Sequence, residues 1–385
     1  MTAQQNLILQ NARVILPDQL FGAGSVEIQA GLITSITNGP SRTSSRIIDL
    51  SGLVLLPGFI DVHIHGAVGV DVLEARPDGL QEVSNYLASQ GVTGWLPTFV
   101  PASDENYASA VAAISQSMGN DGARILGVHY EGPFVNTKQC GALHTEYFKT
   151  YSRPEDLDFL VIPENAVRMI TLAPEISGGV ELVRELNRRG WVISIGHTRA
   201  DLKVLAEACD AGARHMTHFM NAMAPLHHRS PGPIAWGLSR DDVTFDLIAD
   251  GLHLDPFMLR LLVRIKGARG ISLISDAIAA AGKGDGDYQI WGETISVKNG
   301  RTSNAAGSIA GSVISMLDAV RLLHSLGVSY VDLGQMAALN PARLLGLDRI
   351  CGSIEVGKRA DLVALDEKGR VRLTIVAGKV VFGRG

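Results

Sequence analysis

The chain has 385 residues, 46% of them hydrophobic, 19% charged and 5% aromatic, with 42 glycines against 15 prolines and a net charge of −5. That apolar content excludes disorder, which combines low hydrophobicity with high net charge. The acidic balance excludes the basic surface that nucleic acid or anionic lipid requires.

The N-terminus, MTAQQNLILQ, lacks the basic start and long apolar run of a secretory signal. No stretch approaches the roughly 18 uninterrupted apolar residues of a membrane span. The expectation is a cytoplasmic protein with neither membrane nor nucleic acid as partner. Cys140, Cys209 and Cys351 are odd in number and lack CxxC spacing, so they suit neither a disulfide framework nor a cysteine zinc site.

The first fifty residues read as short strands, NLILQNARVIL, SVEIQ, LITSITN and RIIDL, divided by Pro, Gly, Asn and Asp. ADLVALD, RVRLTIVAG and KVVFG repeat this texture at the far end. The two ends are expected to meet in one small β-sandwich domain, residues 1–56 with 352–385, around an inserted domain of residues 57–351.

The insert alternates. VLLPGFIDVHIH, VTGWLPTFV, ARILGVHYEG, VRMITLAPE, WVISIGHT, RHMTHFMNA, VTFDLIADG and GISLISDA are eight apolar, β-branched runs. Helical stretches lie between most of them: DGLQEVSNYLASQ, ENYASAVAAISQSM, GGVELVRELNRRG, ADLKVLAEACDAG and DPFMLRLLVRIK. Eight β-then-α units predict an α/β fold, a (β/α)8 TIM-type barrel. Its strands are apolar nearly throughout, as parallel strands buried on both faces should be.

Ten of the eleven histidines lie between positions 63 and 253. His63, His65, Glu131, His197, His218 and Asp276 each fall at or just after the end of a predicted strand. In a barrel those ends form the active-site face, so residues distant in sequence converge there. His, Glu and Asp are ligands for a borderline divalent ion, Zn or Fe. His63 and His65 share one face of a strand. Two core histidines are the alternative, but Asp61 on the same face makes three polar groups in a row, which a buried face tolerates only with a partner. Glu131, in HYEGP, is either a carboxylate ligand or a solvated loop residue. His197 and His218 are singly interior histidines; with Glu131 they make the two-His, one-carboxylate set of hydrolytic zinc sites. Asp276 is a helix N-cap or, more in keeping with a metal site, a catalytic base.

The blocks PGFIDVHIHG, EGPF, GHT, THFMNAMAPLHHRSPG, IADGLHLDP, LISDAIAAAG, IAGS and NPARLLGL…GSIEVGKRADLVALD resemble, in order and spacing, the N-acetylglucosamine-6-phosphate deacetylases of the amidohydrolase superfamily. The resemblance implies that Glu131, His197 and His218 hold the main divalent ion. It places His63 and His65 at a second-ion position, giving one or two ions per subunit. It makes Asp276 the catalytic aspartate, which takes a proton from the attacking water and passes it to the leaving amine. Asn221 and Ala222 would hold the phosphosugar, with Arg229 and His253 binding its phosphate from the neighbouring subunit of a homodimer. The family's Lys/Arg-Gly-Ala/Thr-His block reads Cys140-Gly141-Ala142-Leu143-His144 here. A one-residue insertion would let His144 keep the role of binding the substrate carbonyl. The implied reaction is hydrolysis of N-acetyl-D-glucosamine 6-phosphate; the alternative is N-acetylgalactosamine 6-phosphate or another small N-acyl compound.

Overall fold

The computed structural model describes residues 6–40 and 46–383; the parts of the expected end domain at 1–5, 41–45 and 384–385 lie outside them. Eight parallel strands stand side by side in chain order: β1 (Phe59–Ile64), β2 (Val92–Phe99), β3 (Gly127–Glu131), β4 (Val167–Leu172), β5 (Val192–Ile195), β6 (His215–Met216), β7 (Thr244–Ile248) and β8 (Ile271–Ile274). This is the predicted (β/α)8 barrel, one strand for each apolar run. Every residue of β1, β2 and β8 is buried. Ile60, Val62, Leu96, Met169, Ile248 and Ile274 come from five strands yet share one cluster, a meeting that only the barrel interior permits. Ala342 and Leu345 pack into the same cluster.

The five predicted helices are present as α1 (Pro77–Ser89), α2 (Asp104–Ser117), α3 (Gly179–Arg188), α4 (Leu202–Ala211) and α6 (Pro256–Lys266). Local chemistry sets where three of them begin. Ser103, Asp201 and Asp255 accept hydrogen bonds from the Asn106, Val204 and Phe257 amides, satisfying donors that a helix start leaves unpaired. Four further helices, α5 (Gly232–Ser239), α7 (Met316–Ser325), α8 (Tyr330–Gly334) and α9 (Asn340–Leu344), were not anticipated. No described helix is long and apolar enough to cross a membrane.

The strands of the two chain ends form one sheet. Its order is 379–383, 371–376, 362–365, 54–57, 7–15, 20–29, 32–38, with 46–49 also paired to 7–15. Leu7, Val26 and Ile28 from one end and Leu362, Leu373 and Ile375 from the other share a single core. The run VLLPGFIDVHIH is divided between the two bodies: Val54–Pro57 pairs with Leu362–Leu365, and the barrel begins at Phe59. Gly58 makes the crossing, where a Cβ would lie 2.1 Å from the Thr93 side chain.

Barrel closure depends on the seam between β1 and β8. The Asp276 amide donates to the His63 carbonyl at 2.9 Å, and the His65 amide to the Ala277 carbonyl at 2.8 Å. Asp61, fully buried, accepts from the Ser275 hydroxyl at 2.5 Å and the Ser275 amide at 3.2 Å. Burial pushes the Asp61 carboxyl up to about 6, against the pull of those Ser275 bonds, so it is ionised at neutrality. Removing it would leave buried donors unpaired. Asp61→Ala is therefore expected to cost on the order of 3 kcal/mol, measured by urea unfolding. A loss under about 1 kcal/mol would show that the seam closes without it.

Candidate active site

Six side chains from five strand ends meet at one end of the barrel. His63 lies in β1 with His65 just beyond it; Glu131 ends β3; His197, His218 and Asp276 each lie two residues past β5, β6 and β8. All six are buried. His197 (φ 48°), His218 (φ 30°) and Asp276 (φ 50°) adopt left-handed backbone, a conformation that costs a non-glycine residue roughly 1–3 kcal/mol and persists only where surroundings enforce it. The enforcement is visible. The His218 amide donates to the Asp246 carboxylate. The Asn136 amide donates to the His197 carbonyl at 3.1 Å, and the Ser312 amide to the Asp276 carbonyl at 2.7 Å.

The donor atoms fall into two groups, Glu131–His197–His218 and His63–His65–Asp276. In the first, Glu131 Oε1 is 2.9 Å from both His197 Nε2 and His218 Nε2, which are 3.2 Å apart. In the second, His63 Nε2 and His65 Nε2 are 3.1 Å apart and lie 3.4 and 3.2 Å from Asp276 Oδ1. Glu131 also joins the groups, with Oε1 3.6 Å from His63 and Oε2 3.3 Å from His65. A tetrahedral ion with bonds of about 2.0–2.1 Å separates its donors by about 3.3 Å. Both groups match that edge, so the residues fit one or two divalent ions. The imidazoles are also oriented as ligands are: His197 Nδ1 donates to the Gln139 carbonyl at 2.7 Å and His65 Nδ1 to the Thr98 carbonyl at 3.0 Å, which leaves each Nε2 lone pair for the site. His63 Nδ1 and His218 Nδ1 are buried without a hydrogen-bond partner among the described residues.

A polar belt adjoins the cluster. His129 Nδ1 donates to the Val62 carbonyl at 2.9 Å, so its Nε2 accepts from Thr171 at 2.8 Å. Thr171 is 2.6 Å from Thr217, and Thr217 is 2.5 Å from Ser194. Burial holds His129 well below the usual imidazole range; it is neutral and structural. His215 pairs with Asp246 at 3.0 Å, both fully buried. Asp246, which sequence reasoning missed, thus ties His215 to the backbone that presents His218. It carried no separate signal, being one polar residue inside the apolar run VTFDLIADG.

The cluster floors a cavity of about 390 Å³, lined also by Asn221, Ala222, His253, Trp291 and Arg301. This lies in the ~300–1,000 Å³ range of small-molecule sites. Asn221 and Ala222 are thus brought to the site. His253 also lines the cavity of its own chain: Asp250 accepts from His253 Nδ1 at 2.7 Å and holds it on the turn after β7. Arg229 lies outside the lining, exposed, with Nη1 2.8 Å from His228 Nε2. His144 departs furthest from expectation. The Leu143 amide donates to the Cys140 carbonyl at 2.9 Å, a tight turn that seats Leu143, 7% exposed, in the cavity wall. His144 falls on the far side, its side chain 31% exposed and 3.3 Å from Glu146.

Charge attraction around the cluster is strong. Burial lowers the affinity of His65 and His218 for a proton, but Asp276 and Glu131 outweigh it, bringing His65 up to about 10 and His218 up to about 9. Burial likewise pushes the Glu131 and Asp276 carboxyls up, and the imidazoles, His63 first, hold them below the usual range. Protons on His65 and His218 are therefore retained up to pH about 9 and must leave before their nitrogens can bind a cation. Metal loading at pH 7.5 is expected to release protons, and apparent affinity to fall as pH falls. Calorimetry in two buffers of different ionisation enthalpy measures this; identical heats would contradict it.

Comparison with known proteins agrees with this geometry. The profile of the Amidohydrolase family matches residues 54–381. The N-acetylglucosamine-6-phosphate deacetylase of Bacillus subtilis (strain 168) is 35% identical over 390 residues, covering 98% of each chain. The N-acetylgalactosamine-6-phosphate deacetylase of Escherichia coli O157:H7 is also 35% identical, over 97% of this chain and 98% of its own. The structure of a mutant N-acetyl-D-glucosamine-6-phosphate deacetylase from Mycobacterium smegmatis, in complex with N-acetyl-D-glucosamine-6-phosphate, superposes with a TM-score of 0.90 at 31% identity, covering 98% of this chain and 99% of that one. Family profile, full-length relatives and fold agree, and the chain belongs to the amidohydrolase family, among its N-acetylglucosamine-6-phosphate deacetylases.

Proposed function

We propose that the protein hydrolyses the acetamide of N-acetyl-D-glucosamine 6-phosphate to D-glucosamine 6-phosphate and acetate. The observation that carries this reading is the pair of three-donor groups joined through Glu131 on the floor of a cavity, with the Asp276 carboxylate among them. Membership of the family supports a divalent ion. The nitrogen and oxygen donors suit zinc or ferrous iron, held by Glu131, His197 and His218, with room for a second on His63, His65 and Asp276. When bound, such an ion supplies Lewis acidity, polarising the amide oxygen and making water acidic enough to ionise near neutrality.

The chain's own residues do the rest. Asp276 is held ionised by the imidazoles beside it, so it can take a proton from the attacking water and return it to the leaving nitrogen. Asn221, Ala222 and His253 hold the phosphosugar along the wall; Asp250 occupies His253 Nδ1 and leaves Nε2 for the ligand. Leu143 offers the carbonyl no donor and instead keeps water from that side. We take the working unit to be a homodimer in the cytoplasm, where phosphorylated sugars are retained. Leu226 and Phe257, 58% and 62% exposed, support an apolar contact between copies, and Arg229 on its exposed loop would reach the neighbouring subunit's phosphate.

The purified, metal-loaded protein is expected to release acetate from N-acetylglucosamine 6-phosphate and to turn over the galactosamine epimer more slowly. Asp276→Asn should lower kcat by at least about 100-fold. No release by the wild type, or an unimpaired variant, would sink this reading. His144→Ala should stay within about threefold of wild type, and a loss beyond about 30-fold would return His144 to the site.

A further inference from the structure

We propose that Arg301 binds the substrate's phosphate from within the same subunit, an inference that rests on the phosphosugar reading above. Arg301 sits on a three-stranded meander after β8, built from Gly286–Ile290, Glu293–Lys298 and Arg301–Ser303. It is the one arginine or lysine lining the cavity among the described residues, and it is exposed, which places it toward the rim. Its guanidinium has no hydrogen bond or ion pair with any described residue.

Its neighbours make that lack of a partner costly. Arg301 pairs directly opposite Lys298 across the Asn299–Gly300 turn, and like charges at directly opposed positions destabilise a hairpin. A carboxylate bonded to this turn, Asp285, is occupied by the Asn299 amide at 2.6 Å and the Gly300 amide at 3.1 Å. Arg301 thus stands at the mouth of a cavity whose floor carries Glu131 and Asp276, with a second cation, Lys298, opposite it on the hairpin and not in the cavity lining. An anionic sugar entering the cavity meets the Arg301 cation at the rim, while Glu131 and Asp276 on the floor are already matched by the imidazoles beside them.

Position agrees with charge. The 2-acetamido and 6-phosphate groups leave a pyranose ring on opposite sides, so an amide at the floor directs the phosphate to the rim. The arm is firmly seated. Ile290, Ile295 and Val297 bury against Ile278 and Ala279. Thr302, next to Arg301, donates its hydroxyl to the Gly311 carbonyl at 2.7 Å and accepts from the Ala310 amide at 3.2 Å. The planar guanidinium fork can hold two phosphate oxygens at once, which an ammonium cannot.

The test uses the metal-loaded protein and its Arg301→Gln and Arg301→Lys variants, with thermal unfolding to confirm that each folds. Arg301→Gln is expected to weaken binding of inorganic phosphate, and to raise KM for the phosphosugar, by about 10- to 100-fold, leaving kcat and turnover of unphosphorylated N-acetylglucosamine within about threefold; Arg301→Lys should fall between. Equal losses on both sugars would make Arg301 structural and overturn the proposal, as would unchanged phosphate affinity. Phosphate binding that depends on Arg301 in a wild type inert toward the phosphosugar would instead overturn the proposed reaction and leave this site standing.

Discussion

One carboxylate organises this molecule. Glu131 lies within 3.6 Å of the Nε2 atoms of His63, His65, His197 and His218, and all five residues are buried. Such a concentration of lone pairs and negative charge is unstable without a cation, whether proton or metal. The barrel exists around that demand. It brings β1, β3, β5, β6 and β8 to one rim, where residues up to 213 positions apart, His63 and Asp276, approach within 3.4 Å.

Holding the cluster has a structural cost that the fold spreads over its walls. Three of its members take left-handed backbone, and each is fixed by a bond from another segment rather than by its own strand. Asp246 holds the His218 amide, Ser312 the Asp276 carbonyl and Asn136 the His197 carbonyl. Two of these tethers come from loops that also border the cavity. The strain in the ligands is therefore coupled to the position of the cavity wall, and a ligand that orders the wall also steadies the donors.

Much of this is legible in the sequence. All eight barrel strands were visible because parallel strands buried on both faces read as unbroken apolar runs, and the six donors because polar residues at the ends of such runs have few other reasons to be there. What was missed has physical causes. His144 looked competent by residue type, yet the Cys140–Leu143 turn decides which side chain faces inward, and a turn's facing is not encoded in spacing. VLLPGFIDVHIH read as one strand although Gly58 divides it between two bodies. The meander carried a usable signal: Trp291-Gly292 and Asn299-Gly300 both adopt positive φ, the two-residue turn that tightly joins antiparallel strands, and Asn-Gly announces it.

The meander also changes how the acidic balance of the chain should be understood. A net charge of −5 repels a phosphosugar at long range, but screening confines exposed charges to about 8 Å at physiological ionic strength, so local placement decides binding. The carboxylates at the floor are matched by the imidazoles of the cluster, and Arg301 stands apart from them at the rim. Were Arg301 nearer the floor, it would pair with Glu131 or Asp276 and compete with the metal. Seated on a separate sheet whose core is independent of the barrel strands, it can attract the anion without neutralising the carboxylates that the chemistry requires.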